Sequence, residues 1–188
     1  MRPAIRQQMP GFGHAWPPLA IVAALLVFAA LEHGLTTAPI PLHGRAYAVD
    51  GDTIRLAGQR IRLLGIDAPE REQSCTGATG EVWACGEAAR AAMAKLLAGG
   101  GVDCAASERD RYGRPLADCR VGGIDLGRSM VASGMAVADG AYLNEEEAAR
   151  LAKLGIWAGS FTPPAEWRRE HGEGMPPAPF GTLLHWLP

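Results

Sequence analysis

Between Arg45 and Ile66 the chain carries three strand-like runs in close succession, "RAYAV", "DTIRLA" and "RIRLLGI". Each is short, rich in β-favouring residues and bounded by turn formers. Gly51 and Asp52 make a bend after the first run, and Gly58-Gln59 is expected to close a tight hairpin between the second and third. "CGEAARAAMAKLLAGG" then reads as a helix, with Ala89, Met93, Leu96 and Leu97 at helical spacing and glycines at its end. "VDCAASE" and "RPLADCRV" form a second hairpin, broken by Gly122-Gly123. "DLGRSMVASGM" predicts a short helix stopped by Gly134. "NEEEAARLAKLGIW" predicts a longer one, with Asn144 as N-cap, glutamates in the first turn and Gly155 at the end. "PAEWRRE" can add one last helical turn.

Three strands, a helix, two strands and then helices is the order of an α+β fold of one particular kind. It is a five-stranded Greek-key barrel of the OB type with about three attached α-helices. A length of 188 residues suits one such domain with tails. We expect an N-terminal segment at 1–38, the domain at 39–160 and a proline-rich extension at 161–188. The net charge of −2 gives no global positive field, so any polyanion must be met by a local cluster. Arg109, Arg111, Arg114, Arg120 and Arg128 form one such cluster, beside Arg55, Arg60 and Arg62.

At the N-terminus, Arg2 and Arg6 precede "LAIVAALLVFAAL", Leu19 to Leu31, an apolar run without a charge. It is shorter than the ~20 residues of a spanning helix and fits a secretory signal, with a retained membrane anchor as the alternative. The charge bias, basic before and Glu32 after, places the rest of the chain outside the cytoplasm. An extracytoplasmic monomer is expected. Export makes disulfides stable and the four cysteines legible. Cys104 and Cys119 lie symmetrically about the centre of the second hairpin, so they face each other across it. Cys75 and Cys85 then close a local loop. A Cys₄ zinc site would want a C-x-x-C pair, which this sequence lacks.

The stretch "DGDTIRLAGQRIRLLGIDAPE", Asp50 to Glu70, gathers carboxylates at its two ends and arginines between them. If neighbouring strands bring Asp52 and Asp67 together, two carboxylates and nearby carbonyls make an all-oxygen site for Ca²⁺ or Mg²⁺. Taken singly, Asp-Gly is also an ordinary turn, and "DAPE" an ordinary loop start. Arg62 shifts the balance, because an idle arginine seldom lies inside an apolar strand. Strict alternation puts Arg62 and Asp67 on opposite faces, so a bend at Gly65 is required for them to meet. Arg114 follows a Tyr-Gly turn in the second hairpin. Two guanidinium forks from separate hairpins can hold one phosphate.

"DGDT", "IRLLGIDAPE", "DRYGR" and "GIW", in that order from about Arg45 to Trp157, resemble the staphylococcal-nuclease (thermonuclease) family. The resemblance implies an OB-fold phosphodiesterase that uses calcium to cut DNA and RNA, breaking the P–O5′ bond and leaving 3′-phosphate ends. By motif position it implies Asp52 and Asp67 as carboxylate ligands, with the Ala68 carbonyl as the third protein ligand. It likewise implies Glu70 as general base, and Arg62 and Arg114 as phosphate-binding arginines. Tyr112 matches a tyrosine near the phosphate, and Tyr142 an aromatic bordering the base pocket. Arg111, beside Tyr112 in the basic cluster, is a further candidate for substrate contact. Ala68 replaces a common threonine, which leaves a carbonyl ligand unaffected, and Gly140 stands where a second pocket aromatic often occurs. The acidic balance implies weaker nonspecific affinity and a shallow salt dependence.

Two other readings compete. A nuclease-like domain that binds without cutting would be expected to have lost acids from the site, whereas here the carboxylates and both arginines remain. An OB-fold single-strand binder would display aromatics on its strands, and Tyr47 is the only aromatic in the predicted strand runs. His14, His33, His43, His171 and His185 all fall outside the predicted core, so histidine chemistry finds no support.

Overall fold

A strand broken at Arg45 lets one curled sheet return upon itself. In the computed structural model, which describes residues 38–172 together with Val22, Ala23 and Leu25, β1 (Ile40–Gly44) and β2 (Ala46–Ala48) are the two halves of that strand. Next come β3 (Thr53–Leu56), β4 (Gln59–Leu63), β5 (Ile66–Asp67), β6 (Cys75–Thr76) and β7 (Val82–Trp83). Helix α1 (Cys85–Leu97) leads to β8 (Val102–Arg109), β9 (Pro115–Val121) and β10 (Ile124–Asp125). The rest is α2 (Leu126–Ala132), β11 (Val137–Ala138), α3 (Leu143–Leu151), a 3₁₀ turn at Gly155–Ala158 and α4 (Pro164–Glu170). The first half of the opening strand pairs with β8 and the second with β3, around the order β1-β8-β9-β4-β3-β2. This is the curled, OB-like α+β architecture that the order of elements predicts, carried by four helices among the described residues.

Alternation builds the core. Ile54, Leu56, Ile61 and Leu63 face inward while Arg55 and Arg60 between them face out, and β8 and β9 bury Val102, Cys104, Ala117, Cys119 and Val121 in the same way. Helix α1 covers this face with Ala89, Met93 and Leu97, and α2 adds Leu126, Met130 and Val131. A smaller cluster of Cys75, Cys85 and Ile156 packs with Trp83, Val137, Trp157 and Phe161.

Three local expectations need correction. The turn between β3 and β4 is Ala57-Gly58, with φ of 49° and 81°, and Gln59 already belongs to β4. Positive φ at both turn residues matches the right-handed twist of the flanking strands. At the start of α3 the N-cap position is Tyr142, in the left-handed region at φ 61°, and Asn144 lies inside the helix. The first strand, Ile40–Gly44, also begins ahead of the predicted run at Arg45.

Both disulfides form as the spacing predicts. Cys104 and Cys119 are direct partners in the β8–β9 ladder with Cα atoms 4.1 Å apart, and Cys75 is bonded to Cys85. Replacing both Cys104 and Cys119 with serine is expected to cost about 3 kcal/mol, mainly by freeing the unfolded chain. A urea titration with an unchanged midpoint would contradict this.

Most of the Leu19–Leu31 run, and with it the choice between signal and anchor, lies outside the described residues, as does the terminal "PFGTLLHWLP". Val22, Ala23 and Leu25 are helical. Among the described residues no helix is long and apolar enough to cross a membrane.

Candidate active site

The bend before β3 is an aspartate turn that aims a second aspartate inward. The Asp50 carboxylate accepts the backbone N–H groups of Asp52 (3.1 Å) and Thr53 (2.6 Å). Asp52 is thereby turned into the protein and left only 3% exposed. Its Oδ1 accepts the Thr53 hydroxyl at 2.9 Å, and its Oδ2 accepts the Ala68 N–H at 3.3 Å and Arg62 Nη1 at 2.7 Å. Gly51 allows the close approach, because a Cβ there would sit 2.6 Å from that of Ala68 and 2.8 Å from that of Ala89.

Asp67 reaches the same place from the other side of Gly65. That glycine has φ +76° and reverses the parity that would otherwise separate Asp67 from Arg62. Strand β5 is then held by β11, with Val137 opposite Asp67 and the Asp139 N–H donating to the Gly65 carbonyl at 2.9 Å. The buried Glu146 fixes β11 in turn by accepting the Ala138 N–H at 3.1 Å. Arg62 Nη2 consequently lies 2.8 Å from Asp67 Oδ1, so one guanidinium bridges two carboxylates on different strands.

Burial pushes the Asp52 carboxyl up to about 7, against the pull of Arg62 and with Asp50 and Asp67 adding repulsion. Burial also opposes the charge on Arg62, but Asp52 and Asp67 outweigh it and hold its pKa above the usual arginine value. The two directions are compatible, since the aspartate is the more enclosed of the pair.

Glu70 is carried on a loop braced at several points. Gln73, 0% exposed, donates its backbone N–H to the Glu70 carbonyl at 2.8 Å and accepts the Glu70 N–H on its side-chain oxygen at 3.2 Å. The Gly86 N–H, in the first turn of α1, donates to the Gln73 carbonyl at 3.1 Å. A Cβ on Gly86 would stand 1.7 Å from the Glu70 carbonyl oxygen, so only glycine lets the helix seat against the loop. The Cys75–Cys85 bond closes the loop onto the same helix.

The third contribution is the β8–β9 hairpin. Asp110 organises its tip by accepting the N–H groups of Tyr112 and Arg114, both at 2.9 Å, and Arg114 Nε at 2.6 Å. Burial works against ionisation of Asp110, but the bonds from Arg114 and the backbone outweigh it and hold its carboxyl below the usual range. Tyr112 is exposed between two cations, with Arg111 at 4.9 Å and Arg114 at 5.5 Å from its ring centre. Strands β4 and β9 pair in parallel with Arg62 opposite Leu116, which brings the tip alongside the carboxylates.

The result is one open cavity of about 920 Å³ lined by Asp52, Arg62, Glu70, Arg111, Tyr112 and Arg114, with Asp67 behind it, bonded to Arg62. Asp50 and Arg60 also reach its wall. Tyr142 does not. It lines a separate hollow of about 410 Å³ with Arg128 and Gly140, and its hydroxyl donates to Asp125 at 3.1 Å. Burial and the Asp125 charge push that hydroxyl up to about 12.

One residue of the cavity wall escaped the sequence reading. Arg168, on α4, donates from Nη1 to Asp67 Oδ1 (2.9 Å) and Glu70 Oε1 (2.7 Å), and from Nη2 to Asp67 Oδ2 (2.9 Å). Burial opposes its charge, but these carboxylates outweigh it and raise its pKa beyond the usual arginine value. Its position in "PAEWRRE" carried no signal beyond a short helix.

Asp52, Asp67 and the Ala68 backbone carbonyl offer hard oxygens with two carboxylates, the donor chemistry of a calcium-class cation, and here Arg62 and Arg168 neutralise those carboxylates. Among the described residues no group of three or more His, Cys, Asp or Glu is arranged to hold a metal, so a carbonyl and solvent would complete such a site.

Comparison with known proteins identifies the family. The family model for staphylococcal nuclease homologues matches residues 60–159, and the chain belongs to that family. Relatives named as nucleases support a nuclease-type hydrolase, and domains of this family are generally calcium-dependent. The chain is 39% identical over 145 residues to the succinoglycan biosynthesis protein ExoI of Rhizobium meliloti, covering 73% of either chain. It is 34% identical over 140 residues to an uncharacterized endonuclease of Escherichia coli O157:H7, covering 68% of this chain and 85% of that one. A probable staphylococcal-like nuclease of Oryza sativa is 31% identical over 131 residues, with 66% of this chain and 37% of that one covered. Asp52 and Arg168 both lie outside the matched residues 60–159.

Proposed function

We propose that this chain is an exported, calcium-dependent nuclease that hydrolyses phosphodiester bonds of DNA and/or RNA and leaves 3′-phosphate ends. The observation that carries the reading is convergence. Asp52, Arg62, Glu70 and Arg114, from separate segments, line one cavity, and Asp67 is bonded to Arg62 behind it.

In this mechanism Asp52, Asp67 and the Ala68 carbonyl would hold calcium, which would supply a Lewis acid for the phosphate and a water molecule. Arg62 and Arg114 grip the phosphate from two sides and meet the charge that grows on its oxygens. Glu70 takes the proton of the attacking water. The new bond forms to phosphorus as the P–O5′ bond breaks, so the phosphate stays on the 3′ side and the 5′-oxygen leaves as a hydroxyl once protonated. Tyr112 and Arg111 border the phosphate path, and Tyr142, in its separate hollow, is the candidate contact for the base. Two disulfides within the domain and the basic, apolar N-terminus support export, with that N-terminus as a cleaved signal or a membrane anchor. The chain acts as a monomer.

The test is incubation of the purified protein with plasmid DNA and with RNA, with calcium or with EDTA, followed by end-group analysis. Cleavage in calcium alone, leaving 3′-phosphates, is expected. Binding without cleavage would make it the non-cutting module instead.

A further inference from the structure

We propose that Arg168 is a positioning residue of the active site, acting through Glu70; the inference rests on the nuclease reading above. Three observations carry it. First, Arg168 has a two-carboxylate grip that an idle surface arginine lacks: one nitrogen spans Asp67 and Glu70, and the other takes the second oxygen of Asp67. Fork geometry of this kind fixes orientation as well as charge.

Second, the arginine is delivered by a built anchor. The buried side chain of Gln73 accepts the Glu70 N–H and donates its amide to the Thr162 carbonyl at 2.7 Å. The same residue thus ties the Glu70 loop to the segment that starts α4. Thr76 and Ser160 exchange two backbone hydrogen bonds, of 2.8 and 3.0 Å, just beside it. Pro164 is buried at the first turn of α4, and Arg168 projects one turn further on. Third, the charges call for it. Asp52, Asp67 and Glu70 crowd together; Arg62 bonds the first two of them, and Arg168 bonds Asp67 and Glu70. A base whose carboxylate is held in one orientation loses less on reaching the transition state, and a shift of ~1 Å can cost ~10²-fold.

The experiment uses the full chain and the calcium assay on DNA, with Arg168→Gln, Arg168→Lys, Glu70→Gln and the Glu70→Gln/Arg168→Gln double variant. Thermal melts confirm that each is folded. Arg168→Gln is expected to lower kcat by roughly 10–100-fold with KM within about twofold. Arg168→Lys should recover part of the loss, since an ammonium keeps the charge but not the fork. In the Glu70→Gln background the Arg168 substitution should have no further effect, because a residue that acts through the base has nothing left to position. A merely structural pin would lower both backgrounds alike, and that result overturns the proposal. So does an unchanged kcat, or a rise in KM in place of a fall in kcat. If the unsubstituted protein fails to cleave, the nuclease reading falls and takes this inference with it. If it cleaves and Arg168→Gln cleaves equally well, only the inference on Arg168 falls.

Discussion

Glu70→Gln is expected to reduce the single-turnover rate of DNA cleavage by about 10²–10⁴ while leaving DNA affinity nearly unchanged. Glutamine keeps the size and hydrogen-bonding reach of the side chain but cannot accept the water proton. The scaffold that places the residue is indifferent to the swap. Its backbone is held by Gln73 from both sides, and the loop is closed by the Cys75–Cys85 bond. Arg168 can still donate to the amide oxygen, so the fold should persist. A loss in rate with intact binding therefore isolates proton transfer from positioning. Measuring rate with enzyme in excess, and affinity by anisotropy with calcium chelated, separates the two. A variant that cuts at the original rate would remove Glu70 from the chemistry.

How far the sequence revealed this arrangement depends on how far apart the partners lie. The Cys104–Cys119 pair was legible because an antiparallel ladder is symmetric about its turn, and the register holds between them. The bulge between Ala106 and Glu108 left no such trace, since one extra residue at the tip alters no motif. Arg62 and Asp67 could be brought together on paper only by asking Gly65 to bend, and its φ of +76° does so. The opening strand leaves a weak signal because Ile40 to Gly44 is mostly exposed, contains a proline, and buries Leu42 and Gly44 only in part. Arg168 was beyond reach for a different reason. It meets Glu70 across 98 residues of chain, and the contact depends on a buried glutamine bonding a backbone carbonyl. Neither partner in that bond has a pattern that periodicity can detect.

The two arginines of the phosphate clamp should behave alike in catalysis and differently in stability. Arg62→Gln and Arg114→Gln are each expected to lower kcat by about 10²–10³, as the loss of a donor aimed at developing charge does. Arg114 is ion-paired with Asp110, and the hairpin tip keeps its backbone bonds to that carboxylate, so its loss should cost about 1 kcal/mol of stability or less. Arg62 is the charged partner of the buried Asp52. In the unsubstituted protein Asp52 titrates at about 7, above the 3.8 of an exposed aspartate, so ionising it costs folding free energy as pH rises between those values. Above pH 7 that loss levels off, because folded and unfolded chains are then both ionised at this position. Removing Arg62 takes away the attraction that lowers this pKa, so the loss continues to higher pH. The stability gap between the two proteins, measured by urea unfolding in EDTA, should therefore be smallest near pH 6, where it reflects mainly the lost bond to Asp67. It should widen by up to ~1.4 kcal/mol per pH unit above pH 7. A gap independent of pH would mean that Asp52 is not the group Arg62 keeps ionised. A gap that appears equally in Arg114→Gln would mean that the two arginines share a structural role.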